Sequence, residues 1–319
     1  MRRQTELHSP AVAKRSTIAA NEKPEAGFIL STFIIFGASG AAGRFLLPQL
    51  TGRGDRVFAV SRRPRPSAAR IAWLVGDLLG ETPLPAQDVD VILSLGPLDA
   101  FSTWFERTPP GGVRRLIALS SMSADSKRDS PDPRERALAA RLVAAEQRVA
   151  AAAAARGIAW TLFRPTLIYG GGRDSSLAPI ARFARRTRLL PVPLGASGLR
   201  QPIHAGDIAA AIIAALDRPA TFGRMYPLGG GERLRFDRML LRLRRAVPGF
   251  VMPVPVPQLL VRMLRRLGIG GGIAASGDAA LRRLREPLIA DNADAEQDFG
   301  YAPRAFDARA VCDSSFHDL

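Results

Sequence analysis

The chain has 319 residues, 47% hydrophobic and 23% charged, enough apolar surface for a large folded core, and this excludes disorder throughout. A single cysteine, Cys312, excludes an internal disulfide scaffold, and three histidines without a second cysteine give no metal-ligand spacing, so no metal is expected. Forty-five basic against 29 acidic residues leave a net charge of +16, which raises the question of an anionic partner.

Residues 1–27 are polar and basic without a central apolar run, so they are expected to be a disordered extension, neither signal peptide nor anchor. From Phe28 the run FILSTFIIF suits a strand buried on both faces. It ends in the turn Gly37-Ala38-Ser39-Gly40-Ala41-Ala42-Gly43, followed by RFLLPQL at helical spacing and a second strand, Arg56 to Val60. Strand, glycine turn, helix and strand in that order form the βαβ unit of a parallel sheet. Further strands are expected at Ile71 to Val75, Val89 to Leu95, Leu116 to Ser120 and Ile158 to Phe163, with an alanine-rich helix at Arg134 to Arg156. The alternation predicts an α/β fold, a Rossmann-type doubly wound parallel sheet.

Past Pro165 the regularity breaks. Gly170-Gly-Gly172, Pro191-Val-Pro193, Gly229-Gly-Gly231 and Pro253-Val-Pro-Val-Pro257 punctuate shorter segments, which predicts a smaller, irregular C-terminal substrate lobe. The expected division is a Rossmann domain over 28–225, with 166–203 contributing to the cleft, and the smaller lobe over 226–319. The longest apolar stretch, Ile208 to Leu216, falls short of the roughly 20 residues that span a bilayer, and a cytoplasmic protein is expected.

Three glycines at spacing three and three, between a strand and a helix, place backbone N–H groups where a pyrophosphate is favoured. Gly37, Ser39, Gly40, Ala41, Ala42 and Gly43 are therefore candidates for coenzyme binding. The second strand ends without the acidic residue that would accept ribose hydroxyls, and Ser61, Arg62 and Arg63 stand there instead, which favours NADP over NAD. Asp77 and Leu78, after the third strand, are placed for the adenine. Leu95 and Gly96, after the fourth, are placed for the nicotinamide ribose.

Taken in order, the glycine turn, Gly76-Asp77-Leu78, Leu119-Ser120-Ser121, Phe163-Arg164-Pro165, Ile168-Tyr169-Gly170, Arg200-Gln-Pro-Ile-His204-Ala-Gly-Asp207 and Asp298-Phe-Gly-Tyr301-Ala-Pro303 resemble the extended and atypical branch of the short-chain dehydrogenase/reductase superfamily, which holds nucleotide-sugar epimerases and dehydratases. The resemblance covers about Phe28 to Phe306. It implies an NAD(P)-dependent oxidoreductase or epimerase acting on a nucleotide-diphosphate sugar or similar anionic metabolite, with Ser120, Arg164 and Pro165 beside the coenzyme. It makes Arg200 a candidate for the substrate diphosphate, the alternative being a structural bridge to Asp207 or another carboxylate. His204 reads as a packing residue and Asp207 as the cap of a helix from Ile208 to Leu216.

The chain departs from the family's pattern at the tyrosine followed four residues later by a lysine. The residues four beyond Tyr169, Tyr226 and Tyr301 are Arg173, Gly230 and Ala305, and lysine occurs only at positions 14, 23 and 127. Registering the helix by Ala144-Ala145-Glu146 puts the dyad positions on Leu138 and Leu142, neither of which moves a proton. The remaining catalytic candidates are Ser121, Ser123 and Tyr169. The alternative is a non-catalytic dinucleotide-binding sensor or assembly subunit.

Arginines crowd 233–245 and 262–285, and Leu259, Leu260, Met263, Leu264 and Leu267 make an apolar stripe beside them. A helix of that kind lies on an anionic membrane, docks on an acidic partner, or packs in the lobe with a solvated basic face. No arginine run interleaves with aromatics, so nucleic acid is not an expected partner. Nothing indicates the oligomeric state.

Overall fold

The computed structural model describes residues 30–107, 111–172, 174, 176–257 and 282–313. The N-terminal extension over 1–27 and the apolar stripe from Leu259 to Leu267 lie outside them.

Seven strands form the central sheet: β1 (Thr32–Phe36), β2 (Arg56–Ser61), β3 (Ile71–Val75), β4 (Val91–Ser94), β5 (Arg115–Leu119), β6 (Ala159–Pro165) and β11 (Arg224–Leu228). Their spatial order is β11-β6-β5-β4-β1-β2-β3, and every neighbouring pair is parallel. Alternate residues face opposite layers, as the strand period of two requires. Phe33 and Ile35 of β1 join Val57 and Ala59 of β2 in one core, with Ala42, Leu46 and Leu50 of helix α1 (Ala41–Gly52). Ile34 and Phe36 join Phe58 and Val60 on the other face, against Phe101 and Trp104 of α2 (Leu98–Arg107) and Ala145 and Val149 of α4 (Pro133–Ala155). Burial on both faces explains the near-continuous apolar strands. Helix α4 begins where its sequence dictates: the Asp132 carboxylate accepts from Arg134 N at 2.9 Å, and Pro133 takes the first helical position. A four-residue helix, α3 (Ser123–Ser126), precedes it.

The second lobe has its own core, in which Leu177, Ala181 and Ala184 meet Met239, Leu240 and Leu243. Its elements are β7 (Ile168–Tyr169), α5 (Ala178–Thr187), β8 (Leu189–Pro193), β9 (Leu199–Arg200), β10 (Ile203–His204), β12 (Leu234–Arg235), α7 (Phe236–Ala246) and β13 (Met252–Val256). Helix α6 (Ala205–Ala215) packs on α1 under the sheet. The division after residue 225 falls inside β11, which runs to Leu228, and α8 (Ala293–Phe299) returns to the first lobe, burying Ala295 and Phe299 under the sheet. A last short helix, α9 (Arg309–Cys312), closes on α5 and α7. No helix among the described residues is long and apolar enough to cross a membrane, and none of their His, Cys, Asp and Glu side chains cluster as metal ligands.

At the amino-terminal end of β5, away from the glycine turn, lies a buried arginine. Arg115 donates Nε to Leu216 O (3.0 Å), Nη2 to Ala215 O (2.9 Å) and to the Thr161 and Thr221 hydroxyls (2.8 and 3.0 Å), and Nη1 to Leu116 O and Ala159 O (both 3.2 Å). It ties the start of β5 to the last carbonyls of α6, a favourable place for a cation. Desolvation by burial lowers its pKa to about 10.

Candidate functional site

Strand order reverses between β1 and β4, and a ligand crevice forms at the carboxyl ends of strands where that happens. The glycine turn lies there. Gly37 has φ +74°, and a Cβ on it would sit 2.8 Å from Gly96 N and Leu95 C, so the turn and the end of β4 are in direct backbone contact. A Cβ on Gly43 would lie 2.0 Å from Ala38 O, which lets α1 close onto the turn only without a side chain. Gly40 is the N-cap residue of α1, so no side chain takes up the helix's first N–H groups. These features leave an anion site at the mouth of α1.

A cavity of about 650 Å³ opens from that mouth, lined by Gly37, Ser39, Ser61, Asp77, Leu78 and Gly96 among others. Arg62 lines it too, and so does Arg148 of α4, whose Nε has no partner among the described residues. A neighbouring cavity of about 430 Å³ is bounded by Ser39, Ser61, Arg62, Arg63 and Arg65. Three guanidiniums around one annex suit a phosphate monoester. Arg65 also covers the face of Trp73 at 5.1 Å. Sequence reasoning missed Arg65, which a longer reading of the Arg62-Arg63-Pro64-Arg65 run would have included. It also missed Arg148, more than 50 residues from any other lining residue of the larger cavity except Asp99, Ala100 and Thr103, which nothing local marks. Of the remaining coenzyme candidates, Ala42 is in the core beneath the turn, Ala41 opens α1, and Leu95 packs against the core with its backbone at Gly37.

Farther along the crevice stands an ionic network. Arg164 donates Nε and Nη2 to the Glu146 carboxylate (2.8 and 2.5 Å) and Nη1 to Asp125 (2.7 Å), and the Ser120 hydroxyl donates to the same buried Glu146. Hydrogen bonding to Glu146 raises the arginine's pKa. Arg164, expected beside the coenzyme, directs these donors to two carboxylates. Pro165 pairs with Leu228 in the sheet, its carbonyl accepting from Met122 N (3.1 Å), and lines neither coenzyme cavity. Leu138 and Leu142 stand half-buried on α4, about two turns and one turn before Glu146. Ser121 accepts from Ser123 N at 3.1 Å, and half-buried Lys127 has its pKa lowered by desolvation and then by Arg283.

Two expected substrate groups are bonded elsewhere. Tyr169 is buried in the second lobe's core, edge-on to His204 (5.3 Å) and Phe306 (5.0 Å). The hydroxyl of Tyr169, expected as a catalytic group, accepts from Asp307 N (3.0 Å), and burial raises its pKa. Arg200 donates to the carbonyls of Leu199 (2.8 Å), Glu286 (2.7 Å) and Arg283 (2.5 Å), and burial lowers its pKa. Gly198 N and Leu288 N bond across the same seam (both 2.8 Å), while Arg283 pairs with Glu135 of α4. Asp207 pairs with Arg304, and the donors of Arg200 go to these carbonyls. Arg200 clamps the 283–288 segment onto β9.

His204, not Asp207, caps α6: its Nδ1 accepts from Gly206 N at 3.0 Å, and Asp207 in the first turn pairs with Arg304 at 2.7 Å. The cap requires an unprotonated Nδ1, and burial, then Arg304, lowers the imidazole's pKa. The unfolded chain takes up a proton near pH 6.5 that the folded chain refuses, so His204's contribution is complete above that pH and is lost as pH falls below it. Urea unfolding at pH 7.5 and at pH 5.5 is expected to give a smaller loss of stability on acidification for His204→Asn, which keeps a capping oxygen, than for the parent. Equal losses in the two proteins would contradict this.

Comparison with known proteins matches this architecture. A family profile described as NAD(P)H-binding covers residues 37–219. An Arabidopsis thaliana protein, the mitochondrial NADH dehydrogenase [ubiquinone] 1 alpha subcomplex subunit 9, is 29% identical over 258 residues, 71% of this chain and 61% of that protein. The chain thus spans less than two thirds of that relative's length. Among solved structures, MoeE5 with UDP-glucuronic acid and NAD superposes with a TM-score of 0.65 at 16% identity, over 88% of this chain and 96% of that one. A Bacillus cereus UDP-glucuronic acid 4-epimerase with NAD gives 0.63 at 13%, over 88% and 94%. A short-chain dehydrogenase/reductase superfamily protein from Agrobacterium tumefaciens with bound NAD gives 0.60 at 15%, over 88% and 94%.

Proposed function

The chain belongs to the NAD(P)H-binding family, and on that premise we propose that it holds NADP(H) as a resident dinucleotide without turning over a nucleotide sugar, as a binding subunit of a larger assembly. The observation that carries this reading is the contrast between the two ends of the crevice. At the glycine turn the backbone is shaped for a pyrophosphate, and beside it Arg62, Arg63 and Arg65 bound a phosphate-sized annex. At the other end Tyr169 and Arg200 are bonded to the protein's own backbone, and Leu138 and Leu142 offer no proton. The residues present fit the coenzyme: Gly37 and Gly43 admit no Cβ, and the cavity volume suits a ligand of that class. Bound NADP(H) would supply a hydride; the chain's own contribution is to grip the phosphates. The name of the Arabidopsis relative, a subunit of an NADH dehydrogenase, supports an assembly role.

A second reading, reduction of an activated acceptor without the dyad, takes as its proton source Lys127, whose pKa desolvation lowers and whose backbone N–H bonds Ser123 O at 3.3 Å. Calorimetry with NADPH and NADH, followed by incubation of the loaded protein with nucleotide sugars and carbonyl compounds, separates the readings. NADPH is expected to bind at least about tenfold more tightly than NADH, Arg62→Ala/Arg63→Ala to erase that difference, and the coenzyme to remain reduced. An unchanged preference in the double variant refutes the phosphate annex, and acceptor-dependent oxidation that vanishes in Lys127→Met establishes the reductase.

A further inference from the structure

The second lobe carries a surface that the coenzyme site does not explain. Strands β8 and β13 pair in parallel, with Leu189 beside Met252, and α5 and α7 pack behind them. Four large apolar side chains stand out on this face: Phe250 (75% exposed), Met252 (49%), Phe183 (47%) and Leu189 (39%). Local bonds gather them into one patch. Thr187 Oγ1 donates to Phe183 O (2.9 Å) and accepts from Leu189 N (3.3 Å). Arg188, in the left-handed region at φ 60°, donates to Pro248 O (2.6 Å), and its carbonyl accepts from Met252 N (2.8 Å). Arg244 donates to Val251 O (2.7 Å) and covers the ring of Phe250 at 5.8 Å.

The charge here is predominantly positive. No Asp or Glu occurs between Asp174 and Asp207, or between Asp237 and Asp278, while Arg182, Arg185, Arg186, Arg188, Arg244 and Arg245 fall within those stretches. The carboxylates at these elements are engaged at their ends: Asp174 accepts from Leu177 N and Ala178 N (2.7 and 2.9 Å) at the start of α5, Asp237 pairs with Arg235 (2.7 Å) at the start of α7, Glu232 pairs with Arg242 (2.5 Å), and Asp313 shares a small cavity with Arg182 and Arg185.

We propose that this face docks on an anionic lipid bilayer. Arginines on α5 and at Arg188 and Arg244 would meet headgroup phosphates, while Phe250, Met252 and Leu189 enter the headgroup–acyl boundary one by one. Separate apolar side chains ringed by cations fit that layered medium, which needs no shape-matched pocket. A nucleic acid would satisfy the arginines and leave Phe250 and Met252 in water.

Co-sedimentation with phosphatidylcholine vesicles, with and without phosphatidylglycerol, tests this. Binding is expected only with the anionic lipid. It is expected to fall more than tenfold in Arg185→Glu/Arg186→Glu and about tenfold in Phe250→Ser, all at an unchanged melting temperature. The equal charge reversal Arg134→Glu/Arg141→Glu, on exposed positions of α4, is expected to leave it within about twofold. Equal losses in the two double variants, indifference to Phe250→Ser, or binding to a DNA duplex with the same residue dependence would overturn the proposal.

Discussion

Gly43→Ala is expected to weaken dinucleotide binding by more than about a hundredfold, equivalent to roughly 2.7 kcal/mol. The added methyl would sit 2.0 Å from the carbonyl oxygen of Ala38, a backbone atom held between β1 and α1, so the clash cannot be relieved by turning a side chain. The helix must move away from the turn, and its first N–H groups move with it, away from the position in which they meet a pyrophosphate. Gly52→Ala, at the other end of the same helix with nothing within 4 Å of the new methyl, serves as the control, expected to leave affinity unchanged. Calorimetric titration with NADPH measures both. An affinity within threefold of the parent for a folded Gly43→Ala protein would remove the glycine turn from the binding site.

Arg115→Met is expected to cost about 3 kcal/mol or more of stability and to lower Tm by roughly 6–12 °C. Methionine fills much of the volume but offers no donor to the carbonyls of Ala215 and Leu216 at the end of α6, or to Ala159 O, and these buried groups lose their cationic partner. Exchanging a buried charge for an apolar group is harmless where its partners leave with it; here the acceptors stay. A change in Tm below about 2 °C would mean that water or relaxation replaces the guanidinium. The site lies at the amino ends of the strands, opposite the coenzyme crevice, so NADPH affinity below the melting transition should not change. The two variants therefore separate two functions of one sheet, binding at the carboxyl ends of its strands and stability at the amino ends.

An intact cradle beside a self-occupied substrate side has a direct physical origin. The coenzyme end depends on short-range sterics at Gly37 and Gly43 and on exposed cations. The other end depends on which long side chains remain unengaged, and there Arg164 meets Glu146 and Asp125 while Arg200 meets the carbonyls of Glu286 and Arg283.

The chain order of strand, glycine turn, helix and strand was legible from residues alone, because apolar runs, β-branching and glycine sterics act within about ten residues of each other. The parallel sheet, the coenzyme turn and the cluster Ser61-Arg62-Arg63 follow from that local chemistry. Partners were not legible. Tyr169 meets Asp307 across 138 residues, Arg200 meets Glu286 across 86, and Arg115 meets Leu216 across 101. A tyrosine or arginine has the same local signature whether it faces a cleft or a carbonyl, and the difference appears only when distant segments are brought together. Tertiary packing decided that Tyr169 is core, that Arg200 is a clamp, that His204 caps α6, and that β11 and α8 complete the first lobe, since each outcome satisfies a buried polar group or an apolar face belonging to another part of the chain.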